Sequence, residues 1–157
     1  MIHPEPSRPH MPGYGIREGA EGMLPWSWAR ERLENSHNYW VASVRPDGRP
    51  HVMPVWAVWI DDVLYFSTAR TSRKARNLVA NSNCVVSTES GAQAVVVEGA
   101  AAIENDHAVL RGPWDAYRAK YNWSVEGESM FVVRPSVAFA FTEDDNFTGT
   151  ATRWRFR

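Results

Sequence analysis

The stretch "YWVASVRPDGRPHVMPVWAVWIDDVLYFST", Tyr39 to Thr68, decides the fold. Aromatic and β-branched residues dominate three runs within it, a composition that is typical of β-strands. These runs are Tyr39–Arg45, Pro50–Ile60 and Val63–Thr68. The two gaps between them, Pro46–Gly48 and Asp61–Asp62, have the chemistry of tight turns. Since a tight turn joins strands that run in opposite directions, the stretch predicts a meander of three antiparallel strands.

The remainder of the chain continues this pattern. Further strands are predicted at Cys84–Ser90, Gln93–Ile103, Ser129–Pro135, Ser136–Thr142 and Ala151–Arg157. Helices are predicted at Trp26–Ser36, Arg73–Asn81 and Pro113–Tyr121. We expect Pro113 in the first turn of the last helix, where proline is tolerated. Many short antiparallel strands with few helices indicate a β-barrel or a strongly curled sheet whose ends the helices cover.

Residues 1–24 differ from the rest, because they are rich in Pro and Gly and show no periodicity, so we predict an irregular N-terminal arm. The apolar residues of this arm suit packing on a partner surface as well as they suit a frayed tail: Tyr14, Ile16, Met23 and Leu24. We expect residues 25–157 to form a single domain, since the length of 157 residues suits one compact domain with its own core.

Composition excludes several classes of protein. Seventeen basic and eighteen acidic side chains give a net charge of −1, which argues against a protein that binds nucleic acid or an anionic membrane. The single cysteine, Cys84, cannot build a disulfide framework or a thiolate metal site. Neither a signal peptide nor a membrane-spanning run is visible in the sequence, so we expect a cytoplasmic protein.

The predicted strand Pro50–Ile60 is apolar on both faces, whereas a half-solvated strand alternates apolar with polar residues. One face has to fill the barrel, and a second subunit or a flat ligand has to cover the other. Pro54 has no N–H to offer in the middle of this run, which predicts a sheet edge or a bulge. Because an uncovered apolar edge strand promotes aggregation, we expect a dimer.

A basic cluster follows the third strand. Ser72 is a good helix N-cap, and it places Arg73 and Lys74 in the first helical turn. The helix dipole disfavours cations there by about 0.3–1 kcal/mol each, so we expect an anion, a phosphate above all, to bind among them. Ser67 and Thr68 would supply hydroxyls to the same place. The alternative is a solvated helix start whose basic residues pair with surface acids.

The order of these parts resembles the pyridoxamine 5'-phosphate oxidase-like superfamily. The resemblance runs from about Tyr39 to Ile103 and depends on "YFSTARTSRKARNL", "CVVSTES" and "QAVVVEGAA", with weaker similarity in "ATRWRF". It implies a mainly β fold, namely a split β-barrel of about six to eight antiparallel strands with two or three flanking helices. It also implies a homodimer with two cofactors at the subunit interface.

The resemblance also implies site residues. In flavin-binding members a Ser-Arg-Lys motif holds the cofactor phosphate, and Ser72, Arg73 and Lys74 match that motif. A hydroxyl pair upstream of the motif corresponds to Ser67 and Thr68. The backbone of the second strand, between Val52 and Ala57, is implied to lie along the isoalloxazine ring and includes Met53, Pro54, Val55 and Trp56.

Two departures indicate a branch of the superfamily. The glutamine expected near Val97–Gly99 falls at Ala94, with Gln93 beside it, and the long C-terminal region that binds pyridoxal phosphate is missing. The short chain, rich in Trp and Arg, is more similar to the actinobacterial branch that uses the deazaflavin coenzyme F420. Arg70 or Arg76 would then steer the polyglutamate tail of that coenzyme.

The implied function is the transfer of a hydride from reduced coenzyme F420 to a small unsaturated or quinone-like substrate. Two alternatives stay open: an FMN-binding oxidoreductase of the same type, and a non-catalytic cofactor- or haem-binding barrel, for which His51 would be the strand histidine. No spacing of potential ligands suits a metal.

The sequence assigns no proton donor. Tyr117 and Tyr121 are possible donors, but packing is the more frequent role of such residues. Trp56 and Trp59 are candidates for the walls of a substrate pocket, although core and interface positions suit them at least as well. Trp154 is a weaker candidate, for contact with a cofactor from the other subunit.

Overall fold

The computed structural model describes residues 4–157, so residues 1–3 of the predicted arm lie outside the described residues. The described part contains nine strands and four helices. In chain order they are β1 (Pro6–Ser7), α1 (Trp26–Asn35), β2 (Tyr39–Val44), β3 (Pro50–Val55), β4 (Ala57–Ile60), β5 (Val63–Phe66), α2 (Arg73–Ala80), β6 (Asn83–Thr88), β7 (Gln93–Glu104), α3 (His107–Tyr121), β8 (Met130–Thr142), α4 (Phe147–Thr150) and β9 (Thr152–Arg155).

The strands close into an antiparallel barrel. β2 pairs with β3 on one side and with β6 on the other, and the ladder continues through β7 to β8. β8 also pairs with β5, which pairs with β4, and β4 follows β3 directly along the chain. The predicted mainly β split barrel is therefore confirmed, with one strand and one helix more than the expected range allowed.

The predicted strand Pro50–Ile60 is divided at Trp56 into β3 and β4. At the break, the amide of Ala57 donates a hydrogen bond to Tyr121 Oη (3.0 Å) instead of joining the ladder with β2. Tyr121 Oη in turn donates to the carbonyl of Ala57 or of His37, both at 2.8 Å. A tyrosine on α3 thus satisfies backbone groups that the bend leaves unpaired.

The two predicted strands Ser129–Pro135 and Ser136–Thr142 form one continuous strand, β8. The register with β7 shifts between Glu98 and Gly99, so the extra residue Ser136 forms a bulge and its hydroxyl donates to the carbonyl of Glu98 (3.1 Å). At Gly99 a Cβ would lie 2.3 Å from the carbonyl oxygen of Arg134, so only glycine fits this crossing.

Helix α3 begins six residues before the predicted start, at His107. Asp106 provides the N-cap, since its carboxylate accepts a hydrogen bond from the amide of Ala108 (2.8 Å). The prediction that Pro113 opens the helix was wrong, because this cap starts the helix earlier and leaves the proline in the interior.

Three tryptophans meet inside the barrel. The ring of Trp26 contacts Trp59 and Trp154 edge-on, at centroid distances of 6.3 and 5.3 Å, and its Nε1 donates to Asp62 Oδ1 (3.1 Å). Trp154 is 0% exposed, so its candidacy for contact with a cofactor was wrong, and Trp59 is likewise a core residue. A second apolar cluster lies between α3 and the outer face of β4.

The N-terminal segment is attached to its own domain at Arg8. Its guanidinium donates to four carbonyls, two within the segment and two near the C-terminus, those of Gly19, Glu21, Gly149 and Ala151. Strand β1 pairs with β9 next to this point. Within residues 4–157 no helix is long and apolar enough to cross a membrane.

Candidate cofactor site

The start of α2 forms a polar cluster of Thr68, Ser72 and Lys74. Ser72 Oγ caps the helix by accepting from the amide of Ala75 (3.2 Å), and it lies 3.3 Å from Thr68 Oγ1. Lys74 Nζ donates to the same Thr68 oxygen (3.1 Å). The structure therefore brings these three predicted residues together, with the open end of the helix beside them.

The cations near this cluster have no acidic partners among residues 4–157. Within the described part of the chain, no carboxylate lies within 4.0 Å of the basic groups of Arg45, Arg70, Arg73, Lys74 or Arg76. Burial lowers the pKa of Lys74 below its ordinary value, because the half-buried ammonium has lost part of its hydration. The alternative prediction of a helix start paired with surface acids does not describe this arrangement.

Ser67 does not join the cluster. Its hydroxyl donates to Glu128 Oε2 (2.7 Å), on the loop that precedes β8. Successive side chains of an extended segment point to opposite sides, which explains why Thr68 faces the cluster and Ser67 does not. Arg70 is also directed to this loop, with Nη1 3.5 Å from Ser129 Oγ.

Strand β3 lies at an edge of the sheet, as Pro54 predicted, because it pairs only with β2. The amide of Arg45 donates to the carbonyl of Arg49 (2.9 Å), so hydrogen-bonded and non-hydrogen-bonded pairs alternate from there. This count places Pro50, Val52 and Pro54 in non-hydrogen-bonded pairs, where their backbone groups point away from β2. The free edge therefore offers three carbonyls but only one N–H, that of Val52.

Met53 and Val55 occupy the hydrogen-bonded pairs, so their backbone groups face β2 and not the free edge. The side chain of Val55 is buried and that of Met53 is exposed. Of the predicted strand residues, Pro54 thus offers its carbonyl to a ligand at the edge, and Trp56 lies just beyond the last pair of the strand.

An apolar surface surrounds this edge. Val52 is 52% exposed and Trp40, its near neighbour on β2, is 44% exposed. The register places Val52 opposite Ala42 and Pro54 opposite Trp40 on the same outer face. Isolated exposed apolar residues are ordinary, but a contiguous group of them marks a surface that another molecule covers.

An aromatic wall ends the edge at Trp56. Its indole stacks on the ring of Tyr121, with centroids 4.7 Å apart and planes 4° from parallel, and His37 contacts both rings. Burial raises the pKa of Tyr121 to about 12, and its hydroxyl is already bonded to the backbone at Ala57. Tyr121 is therefore part of the packing, as the sequence favoured.

A cleft of about 530 Å³ lies beside this wall, between the end of α1, β4 and α3. His37, Ile60 and Lys120 contribute to its lining. It is large enough for a small molecule.

Sequence reasoning did not place two polar residues near the cluster, although it named one of them, His51, as the strand histidine of a haem-binding alternative. His51 pairs with Ser43 across β2 and β3, and its Nδ1 is buried with no hydrogen-bond partner in the described residues. Asn77 of α2 is fully buried, and its Nδ2 donates to Ser43 Oγ (3.0 Å). Counting outwards from the turn at Pro46–Gly48 would have paired Ser43 with His51, but no sequence signal brings Asn77 to that pair.

A model of the pyridoxamine 5'-phosphate oxidase family matches residues 28–145 of the chain. The protein belongs to this family. No curated protein matches the sequence. This match confirms the resemblance to the pyridoxamine 5'-phosphate oxidase family, from which the site residues were predicted.

Solved structures of similar fold extend this result. An F420 reductase shares 25% identity, with 69% of this chain and 94% of that chain covered and a TM-score of 0.57. General Stress Protein 26 from Bacillus anthracis str. Sterne shares 22% identity over 73% of this chain and 91% of that chain, with a TM-score of 0.61. A FAD-binding protein from Mesorhizobium loti shares 20% identity over 85% and 96% of the two chains, with a TM-score of 0.60. At the level of the family, these findings support an oxidoreductase of the flavin or F420 type.

Proposed function

We propose that this protein binds coenzyme F420 and transfers a hydride from its reduced form to a small unsaturated or quinone-like substrate. The observation that carries the proposal is a group of cations at α2 that no carboxylate of the described residues pairs with, beside an exposed strand edge and an aromatic wall. The 25% identity to an F420 reductase supports the choice of coenzyme. We also propose a cytoplasmic location.

The polar cluster would hold the phosphate of the coenzyme. Lys74 and Arg73 supply charge, Ser72 and Thr68 supply hydroxyls, and the first amides of α2 point towards the same place. Charge-assisted hydrogen bonds of this kind are about twice as strong as neutral ones. The residues present therefore fit a phosphate group, and their positive charge has no competing carboxylate within reach in residues 4–157.

The free edge of β3 would orient the ring system. The carbonyls of Val52 and Pro54 can accept hydrogen bonds there, and the N–H of Val52 is the single donor of the strand edge. When bound, the coenzyme supplies the hydride, and the protein supplies its position and a wall that excludes water. Trp56 closes one end of this wall.

We propose a homodimer in which a second copy covers the apolar outer face that includes Trp40 and Val52. A cofactor at the border of this face would lie at the subunit interface. Trp40→Glu would place a charge in that interface, so we expect light scattering to report a dimer for the wild type and a monomer for the variant. A monomeric wild type would contradict the assembly but not the phosphate site.

The experiment is a titration of the protein with F420 and, separately, with FMN, followed by fluorescence. We expect tight binding of F420, and binding weakened by about 2 kcal/mol, roughly 30-fold, in Arg73→Ala/Lys74→Ala. The matched control is Arg111→Ala/Arg118→Ala, which removes the same charge from the exposed face of α3 and should leave the affinity unchanged.

Each other outcome of the titration selects an alternative. Tight binding of FMN together with weak binding of F420 would identify FMN as the cofactor and favour the FMN-binding oxidoreductase. Binding of F420 without its oxidation by any of a panel of enones and quinones would favour a non-catalytic cofactor-binding barrel. Equal affinities for the double variant and the wild type would place the phosphate elsewhere.

A further inference from the structure

His51 lies on the inner face of β3, directly across from Ser43 on β2. The pair is hydrogen-bonded through the backbone, so the two side chains are neighbours beneath α2. The imidazole is half-exposed, but its Nδ1 is sealed from solvent and has no partner in the described residues. One ring nitrogen of His51 is therefore buried without a hydrogen bond to any of residues 4–157.

Asn77 of α2 lies against the same inner face of the sheet, and one of its side-chain atoms also lacks a partner in the described residues. Its Nδ2 donates to Ser43 Oγ at 3.0 Å, which fixes the amide over the residue opposite His51. Its Oδ1 is buried and accepts nothing from residues 4–157. In an imidazole protonated on both nitrogens, Nδ1 is a donor that the unpaired Asn77 Oδ1 would satisfy on contact, and Nε2 carries a second N–H for an anion. A neutral imidazole has only one N–H and cannot do both.

The charges that face His51 all have the same sign. They are Arg45 from the turn after β2, and Arg73 and Lys74 from α2. Burial, followed by these three cations, lowers the pKa of His51 below its ordinary value. An anion among Arg73 and Lys74 would offset this repulsion, and the same change would favour the doubly protonated ring that Asn77 can accept from.

We infer that His51 is a further ligand of the anion bound at α2, that it takes up one proton from solvent when the anion binds, and that Asn77 is its positioning residue. The inference rests on the proposed function, because it requires an anion at that helix start. His51 then binds its proton more tightly in the anion complex than in the free protein. Anion affinity is therefore greatest at low pH and is lost as the pH rises through the value at which His51 titrates in the complex.

The test is an NMR titration of the histidine ring signals in sulfate and in chloride at equal ionic strength. Sulfate is a suitable probe because its charge stays constant across the range. We expect the pKa of His51 to rise by about 1 unit or more in sulfate, the size of shift that an opposite charge nearby produces. The His37 signal serves as the control, since His37 lies at the other end of β2 and β3, and it should not move. His51→Gln assigns the signal.

A second measurement uses F420 itself. His51→Gln keeps a donor but cannot titrate, so the difference in F420 affinity between wild type and variant should shrink as the pH rises from about 5.5 to 8. We expect about a tenfold change in this difference for each unit by which binding raises the pKa. A thermal melt of the variant checks that the fold is intact.

The outcomes distinguish a failure of the His51 role from a failure of the phosphate site on which that role depends. If sulfate shifts the amide signals of Ser72 to Lys74 but leaves the His51 signal unmoved, the anion site stands and only the role of His51 is overturned. Absence of any response at α2 to sulfate, F420 and FMN would overturn the phosphate site and this inference together. A constant affinity difference at every pH would show that His51 binds without taking up a proton.

Discussion

The chain has only two lysines, and their surroundings differ in almost every respect. Lys120 Nζ donates to Tyr39 Oη (2.7 Å), to the carbonyl of Ala57 (3.1 Å) and to that of Glu34 (3.2 Å). Within the described part of the chain Lys74 has one partner, a threonine hydroxyl, and a second cation is beside it in sequence. Both ammonium groups are half-buried, but the protein satisfies one and leaves the other with unused donors.

The difference shows how a structural cation can be distinguished from a binding cation. Lys120 joins the end of α1, strand β2 and the start of β4, next to the break at Trp56 that Tyr121 also stabilises. An ammonium has three donors, and all three are used there. Lys74 lies in the first turn of α2, and two of its donors have no partner in residues 4–157, so an anion from outside can accept them. Partner count, more than burial, distinguishes the two.

The largest expected effect comes from removing the satisfied lysine. Lys120→Met should lower the free energy of unfolding by about 3 kcal/mol, because two carbonyls and a hydroxyl lose a buried donor. Lys74→Met, the matched variant, should change it by less than about 0.5 kcal/mol. Urea denaturation of the two variants measures both. Equal losses would show that partner count does not separate the two lysines.

Local sequence was sufficient to predict the α2 region. Ser72 caps its helix within three residues, and Pro54 marked the edge strand by its missing N–H, so both needed no knowledge of distant parts. The break at Trp56 could not be predicted, because the group that satisfies its backbone is Tyr121, which lies 65 positions along the chain. The pairing of Ser67 with Glu128 has the same origin. Contacts between remote segments decide these points, and no local pattern encodes them.

A smaller loss is expected when the second support of the break is removed. Tyr121→Phe should cost about 1.5 kcal/mol of unfolding free energy, because the amide of Ala57 loses its acceptor while the ring can still stack on Trp56. Tyr117→Phe is the control, since Tyr117 is buried nearby and its hydroxyl has no hydrogen bond within the described chain. Thermal or urea unfolding gives the comparison.

The same two variants test whether either tyrosine donates a proton during turnover. If neither tyrosine donates a proton, both variants should keep the turnover rate of the wild type once an F420-dependent activity is found. A large fall in turnover for Tyr121→Phe, with the stability loss corrected for, would make Tyr121 the proton donor and would contradict its assignment to packing.

The pH dependence of stability tests the cost of the buried charge on Lys120. Burial lowers the pKa of Lys120 to about 8, while an unfolded lysine titrates near 10.4. Between these values the unfolded chain holds more protons, so the free energy of unfolding rises with pH, and the cost of the buried charge is fully present below pH 8. We expect a gain of about 1 kcal/mol across the window, reduced because the lysine is only half-buried. The slope should be absent in Lys120→Met, and a matching slope in that variant would assign it to other groups.

The smallest effect has the opposite sign. Arg73→Gln should raise the free energy of unfolding of the ligand-free protein by about 0.5 kcal/mol, since a cation leaves the positive end of α2 and no carboxylate loses a partner in residues 4–157. Arg118→Gln, which breaks an ion pair with Asp115 (3.1 Å) and removes a cation from the last turn of α3, should not stabilise. Added sulfate should stabilise the wild type more than Arg73→Gln, because the anion compensates a repulsion that the variant no longer has. If Arg73→Gln instead destabilises the ligand-free protein, then Arg73 has a structural partner in solution, and the contrast with Lys120 is lost at that residue.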